Sequence, residues 1–394
     1  MGKEVEKVAV VGAGVMGHGI AQLCAMAGLK VYLVDISDEI LEKAMGKIRW
    51  SLDKLVEKGK LKEEEAKASI NRIKPTTSYE DLSDIDFAVE AVPERMDLKK
   101  IVFQKLDQIA PKEAVLTSNT SSLSITEISR TTERPDKVAG MHFFNPPQIM
   151  ALVEVIRGEH TSDETIKRVM DLAKTLGKTP VLVKKDCRGF IVNRILGAMF
   201  NKVFWDVHLG KARKEEIDAA AKFNAGIPMG PFELADYIGL DVLREIMRVL
   251  SDAYGNRLKY CPLLDELVAQ GNLGRKTGKG FYDWSKGRPS ISKELAESYD
   301  ASNFLVIAIN EAAWIVVDEV AEVKDVDIAM KLGAAWPKGP LELADEMGIG
   351  EVIKKLESLF SEKEEEIYKP CPLLKEYADR GWLGREIGRG FYVY

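Results

Sequence analysis

Histidine is scarce in this sequence, with four residues in 394, and cysteine is as scarce, with Cys24, Cys187, Cys261 and Cys371. The cysteines lie far apart without a CxxC pair, and no histidine stands at a zinc-ligand spacing, so neither a disulfide scaffold nor a bound metal is expected. Cations are not in excess. The 56 Lys and Arg against 62 Asp and Glu leave a formal charge of −6, which removes the electrostatic basis for binding nucleic acid or an anionic membrane. No apolar run is long enough to span a bilayer, and the N-terminal MGKEVEKVAVVGAG lacks a signal-peptide pattern. Gly2 does not mark myristoylation, since Glu6 stands where Ser or Thr is required. Reduced thiols in a cytoplasmic protein are the expectation. What is present is a folded composition, 46% hydrophobic and 30% charged, in a chain long enough for two or three domains.

KVAVV (7–11) is a β-branched run suited to a buried parallel strand, and GAGVMGHGIAQLCAMAG then changes to helical spacing. Gly12, Gly14 and Gly17 form G-x-G-x-x-G around Val15 and Met16. In that pattern the first glycine permits the tight turn, the second lets the backbone approach a pyrophosphate, and the third lets helix and strand pack closely. The helix N-terminus adds free N–H groups and partial positive charge. The next strand, KVYLVD, ends at Asp35, 23 residues after Gly12. A carboxylate there accepts from the adenine ribose hydroxyls and repels a 2′-phosphate, so NAD is expected over NADP. His18, early in the helix, reads as an exposed residue with no ligand role. Further strands are expected at 86–92, 114–119, 137–143, 152–156 and 180–184, giving a doubly wound α/β domain with Glu94, Ser121, Ser122 and His142 at or just after strand ends.

The stretch GMHFFNPPQIMALVEVIRG (140–158) sets His142 and Glu154 among residues that read as buried. Burying both is costly unless each satisfies the other. As a pair, the carboxylate holds the imidazole in one tautomer and stabilises the charge it gains, which suits a general base that takes a proton from an alcohol.

These segments resemble the L-3-hydroxyacyl-CoA dehydrogenase family over essentially the whole chain. The matching stretches are VVGAGVMGHGIAQ, SNTSSLSITEI, HFFNPPQIMALVEVI, GFIVNR, GPFELADYIGLDV and GRKTGKGFYDW. The resemblance implies NAD-dependent, reversible oxidation of (S)-3-hydroxyacyl-CoA, 3-hydroxybutyryl-CoA included, with His142 as base and Glu154 orienting it. It implies that Ser121 and Asn193 hold the substrate oxygen, that Glu94, Lys99, Ser121, Asn145 and Lys276 surround the cofactor, and that Ser51 and Lys58 lie near coenzyme A. Other readings are a hydroxyacid dehydrogenase acting without coenzyme A, or a dinucleotide-binding protein without turnover. An enoyl-CoA hydratase, associated or fused, is the partner that the resemblance suggests.

The second half repeats itself. IPMGPFELADYIGLDV (227–242) recurs as WPKGPLELADEMGIGEV (336–352), and CPLLDELVAQGNLGRKTGKGFYDW (261–284) as CPLLKEYADRGWLGREIGRGFYVY (371–394). The expected organisation is a Rossmann-type domain (1–186), a helical domain that completes the site (187–285), a linker (286–299) and a second, degenerate helical domain (300–394). Allowing a small gap, Asn193 aligns with Ile307 and Lys276 with Glu386, so only the first copy carries the site. In short family members the single helical domain pairs with its copy in a second chain, so tandem copies imply an internal pseudo-dimer in a monomer or weak dimer.

Overall fold

The computed structural model describes residues 5–394, apart from the side chain of Lys363. The chain divides into two compact units, Met1–Cys187 and Arg188–Tyr394.

The first unit is built on one sheet of eight strands: β1 (Lys7–Val11), β2 (Lys30–Val34), β3 (Ile73–Thr76), β4 (Phe87–Glu90), β5 (Val115–Ser118), β6 (Val138–Phe143), β7 (Leu152–Ile156) and β8 (Thr179–Val183). Their order is β3-β2-β1-β4-β5-β6-β7-β8. Pairing is parallel from β3 across to β6, antiparallel between β6 and β7, and parallel again between β7 and β8. The chain leaves β1 towards β2 on one side and later returns to β4 on the other. The glycine loop after β1 therefore lies at the switch point where open α/β sheets bind ligands. Every residue of β4, β5, β6 and β7 is buried, as the β-branched and apolar runs require of a sheet covered on both faces. The helix Gly17–Met26, α1, buries eight of its ten residues. The helix Asp38–Glu57 starts at Ser37, whose Oγ accepts from Ile40 N (3.3 Å), and carries Asp38 and Glu39 in its first turn.

Strand β3 was not expected from sequence. Its IKPT contains a proline, which cannot donate to a ladder and weakens any strand pattern. The residue is tolerated because β3 is the edge of the sheet.

The second unit is helical and built twice from the same buried polar clamps. Asn201, in the helix Val192–His208, donates through Nδ2 to Lys259 O (2.6 Å); Asn310, in the helix Ser302–Val317, donates to Lys369 O (2.9 Å). Asp218 accepts from Phe232 N and Glu233 N, and Asp327 from Leu341 N and Glu342 N. Asp236 accepts from Phe281 N and Tyr282 N, and Asp345 from Phe391 N and Tyr392 N. Cys261 and Cys371 are core residues, their thiols pushed by burial up to about 11 and about 12. These equivalences correct the sequence alignment. Asn201 and Asn310 lie 109 positions apart, so the counterpart of Asn193 is Ser302, not Ile307. Ser302 begins its helix and is tied through Oγ to Asp300 (2.7 Å). The segment expected as a linker packs on the first repeat: Arg288 pairs with Glu233, Asn224 donates to Ala296 O (2.9 Å), and Ile291 and Ala296 cluster with Ala219.

Candidate active site

The glycine loop is shaped by the protein at two positions and left open at the third. Gly12 has φ +102°, and a Cβ there would lie 2.6 Å from Ala91 O; at Gly17 a Cβ would lie 1.7 Å from Gly12 O. At Gly14 a Cβ would meet nothing within 4 Å among the described residues beyond its chain neighbours, so the fold leaves open the position at which this pattern lets a backbone approach a pyrophosphate. Val15 is 61% exposed beside it. Asp35 follows the end of β2, with Oδ2 accepting from Ala13 N (2.6 Å) and Oδ1 from Ile36 N (2.7 Å). One carboxylate thus holds the loop while remaining only half-buried at the end of β2. These features fit a dinucleotide. His18 is not the exposed bystander expected from sequence: half-buried, it donates from Nδ1 to Gly14 O (2.6 Å), and burial holds its pKa below the ordinary value. It braces the loop.

His142 and Glu154 are directly opposite residues of the antiparallel β6–β7 pair, which answers why both lie in apolar sequence. Directly opposite residues share a face of the sheet. The Nδ1–Oε2 distance is 2.7 Å, with side-chain exposures of 7% and 0%. A carboxylate can only accept, so Nδ1 carries the proton and Nε2 is the basic nitrogen. Phe144 lies against the ring, centroids 4.6 Å apart. The end of β6 is tied to the end of β5, where Asn119 Oδ1 accepts from Phe143 N (2.8 Å).

Glu94 gathers the turn after β5. Its Oε1 accepts from Thr120 Oγ1 (2.6 Å), Ser121 N (2.9 Å), Ser122 N (3.1 Å) and both serine hydroxyls. Burial opposes its charge, but Lys99 and these donors hold the carboxyl below its ordinary range. Lys99, expected at the cofactor, lies beneath the surface at 1% exposure, its ammonium reaching Glu90 Oε1 (2.8 Å), Val92 O (3.3 Å) and Glu94 Oε2 (3.3 Å). Glu90 also accepts from Ser118 Oγ (2.6 Å) and Val92 N (2.7 Å). Sequence reading missed Glu90, although a carboxylate ending the apolar FAVE strand was the available signal.

Ser51 is half-buried on the helix Asp38–Glu57, and Lys58 is the exposed residue that follows it. Asn145 is exposed just beyond β6. In the second unit Asn193 is half-buried in the first turn of the helix Val192–His208. Lys276 is paired with both oxygens of Asp241 (2.5 and 2.7 Å), which holds that carboxyl low against its burial. His160 and His208 are exposed. Among the described residues no cluster of His, Cys, Asp and Glu could hold a metal, and no helix is long and apolar enough to cross a membrane.

A dinucleotide-type glycine loop with a carboxylate closing the next strand, in the same sheet as a histidine with one ring nitrogen committed to a carboxylate, fits an NAD-dependent dehydrogenase of alcohols. Sequence models sharpen the class. The 3-hydroxyacyl-CoA dehydrogenase NAD-binding domain matches residues 7–187, and the C-terminal domain of the same enzymes matches twice, at 189–284 and 301–394. The chain belongs to the 3-hydroxyacyl-CoA dehydrogenase family. A probable 3-hydroxybutyryl-CoA dehydrogenase of Bacillus subtilis is 45% identical over 284 residues, 72% of this chain and 99% of that protein. A 3-hydroxyadipyl-CoA dehydrogenase of Escherichia coli is 32% identical and spans 95% of this chain and 98% of its own. The crystal structure of an Escherichia coli 3-hydroxybutyryl-CoA dehydrogenase superimposes with a TM-score of 0.90 at 30% identity, covering 96% of this chain and 99% of that one.

Proposed function

We propose that this chain catalyses the reversible oxidation of (S)-3-hydroxyacyl-CoA, 3-hydroxybutyryl-CoA among them, to 3-oxoacyl-CoA, with His142 as general base. The observation that carries this is the His142–Glu154 pair at 2.7 Å, buried in the sheet that also carries the glycine loop. NAD, held by Gly12, Gly14, Val15, Met16, Gly17 and Asp35, supplies the hydride acceptor when bound. Nε2 of His142 takes the proton of the C3 hydroxyl, and the carboxylate of Glu154 stabilises the imidazolium so formed. In reduction the same nitrogen returns the proton. Ser121 is the proposed holder of the C3 oxygen from the turn that Glu94 gathers, and Asn193 is assigned the same task. Lys99 acts through Glu94 rather than by exposing its own ammonium.

Ser51 and Lys58 are proposed for the coenzyme A moiety, and Asn145 and Lys276 for the cofactor, on the family resemblance. The second helical repeat is proposed to stand where a second chain's domain would otherwise pair, with one active site per chain. NADH oxidation driven by acetoacetyl-CoA tests the activity, and a purified, folded chain without that turnover overturns the proposal.

A further inference from the structure

The two helical repeats pack against each other through the helices Val192–His208 and Ser302–Val317, and the packing relates each residue to its counterpart. Ala198 and Ile307, and Leu250 and Leu359, lie in one buried cluster. Each of these pairs is 109 positions apart, the offset fixed by the buried asparagines. The repeats thus meet through corresponding faces of corresponding helices, as the halves of a two-fold pair do. A homodimer of either repeat alone would use the same geometry.

The charges break that symmetry. Arg194 of the first repeat, 1% exposed, reaches Glu311 Oε1 (2.6 Å) and Asp318 Oδ2 (2.5 Å) of the second. Arg257 approaches Glu311 at 3.4 Å and lies over the rings of Tyr254 and Trp314, at 5.1 and 5.0 Å. Glu311 is itself 3% exposed. At the offset of 109, the first-repeat residue at the position of Glu311 is Lys202. Lys202 is also buried, paired with Asp206, which accepts from the Tyr299 hydroxyl (2.7 Å), and its ammonium lies 6.0 Å from the centre of the Tyr368 ring.

We propose that Lys202 and Glu311, at one repeated position, decide which copy each helical repeat pairs with: the first repeat accepts the second and rejects another first repeat. Two first repeats docked through the same faces would set Lys202, whose carboxylate partner is Asp206 of its own helix, against Arg194 and Arg257, so that three cations in a buried place share that one carboxylate in place of Glu311 and Asp318. Two second repeats would set Glu311 against Asn303, the counterpart of Arg194, and Ile367, the counterpart of Arg257 where Lys259 and Lys369 correspond, leaving two buried carboxylates without an arginine. Only the mixed pair places opposite charges together. A buried charge facing its own sign is a strong device against a wrong partner. The surface thus fits one occupant, the second repeat of this family's tandem form, and disfavours a second copy of the first.

The test uses the intact chain, folded and then cut at a protease site inserted after the exposed Ser298, so that the segment packed on the first repeat stays with it, because a covalent link would favour the internal pair whatever the charges. From the wild-type chain after cutting, the two pieces should remain together one to one on gel filtration at micromolar concentration. With Lys202→Glu, which supplies the missing carboxylate, the larger piece should pair with itself and release the smaller, the mixed complex weakening at least tenfold. Lys202→Met, which removes the charge without supplying a partner, should not do so. Mixed pieces staying together equally in Lys202→Glu and wild type would overturn the proposal, as would wild-type larger pieces pairing with themselves. If Lys202→Glu does not fold, Glu311→Lys and Glu311→Gln take its place: the lysine variant should weaken the mixed complex at least tenfold more than the glutamine, and equal effects would overturn the proposal. NADH turnover by the uncut wild type reports on the proposed reaction separately, so the two can fail independently.

Discussion

Glu154→Gln removes one charge from the centre of the mechanism while keeping nearly the same shape. Glu154 is fully buried and His142 almost so, with 2.7 Å between Oε2 and Nδ1, so solvent screens the pair little. Taking the charge centres as about 4 Å apart and an effective dielectric of about 20, the carboxylate stabilises an imidazolium by about 4 kcal/mol. That sum corresponds to about a thousandfold in rate if the imidazolium is fully formed at the transition state. The glutamine oxygen can still accept from Nδ1–H, which recovers part of this, so a loss in kcat of about a hundredfold is expected. Turnover of acetoacetyl-CoA with NADH, followed by absorbance, gives kcat. NADH affinity, measured by fluorescence titration, should be unchanged because Glu154 serves the histidine and not the cradle. A variant that turns over within threefold of wild type would refute the role given to the pair.

His142→Ala should lower turnover by roughly two to four orders of magnitude, the range of general acid–base catalysis, with NADH binding intact; a variant near wild-type rate would show that the base lies elsewhere. Asp35→Ser should weaken NADH and improve use of NADPH, since the carboxylate that repels a 2′-phosphate is gone, and steady-state KM values for both cofactors check it. Lys99→Met strands Glu90 as a buried carboxylate without its ammonium, which should cost about 3–5 kcal/mol and show as a lowered melting temperature. Burial pushes the Asp218 carboxyl up to about 7 and that of Asp327 up to about 6, against the donors that lower them. The folded state then binds more protons than the unfolded chain from about pH 4 to 7, so stability should fall as pH rises through that window. Thermal melts from pH 5 to 8 test this, and Asp218→Asn should remove the part of the slope nearest pH 7.

The parts legible in the sequence were those where local pattern and chemistry coincide. Gly12, Gly14 and Gly17 between strand and helix, and Asp35 closing the next strand, belong to one βαβ unit, so their neighbours in space are close in sequence. His142 and Glu154 were legible because a hairpin-like antiparallel step sets them opposite each other after only 12 residues. The edge strand β3 was hidden by Pro75, whose tolerance depends on having no neighbour on one side. The support beneath the turn was hidden for another reason: Glu90, Lys99 and Ser118 come from separate elements, and a lysine on a helix reads as solvated until its depth is known. The counterpart of Asn193 was misplaced because the two long helices share an apolar pattern that permits several registers. The buried asparagines, which fix one register, declare themselves only through their hydrogen bonds.

A buried His142–Glu154 pair that serves an NAD-linked oxidation of coenzyme A thioesters makes a joint demand on substrate and cofactor. Steady-state kinetics of the purified chain with acetoacetyl-CoA, run with NADH and with NADPH and repeated with free acetoacetate, tests it most directly. Turnover of the thioester with clear preference for NADH, and none of the free acid, is the predicted result. Preference for the free acid, equal use of both cofactors, or no turnover by a folded chain would overturn that role of the pair.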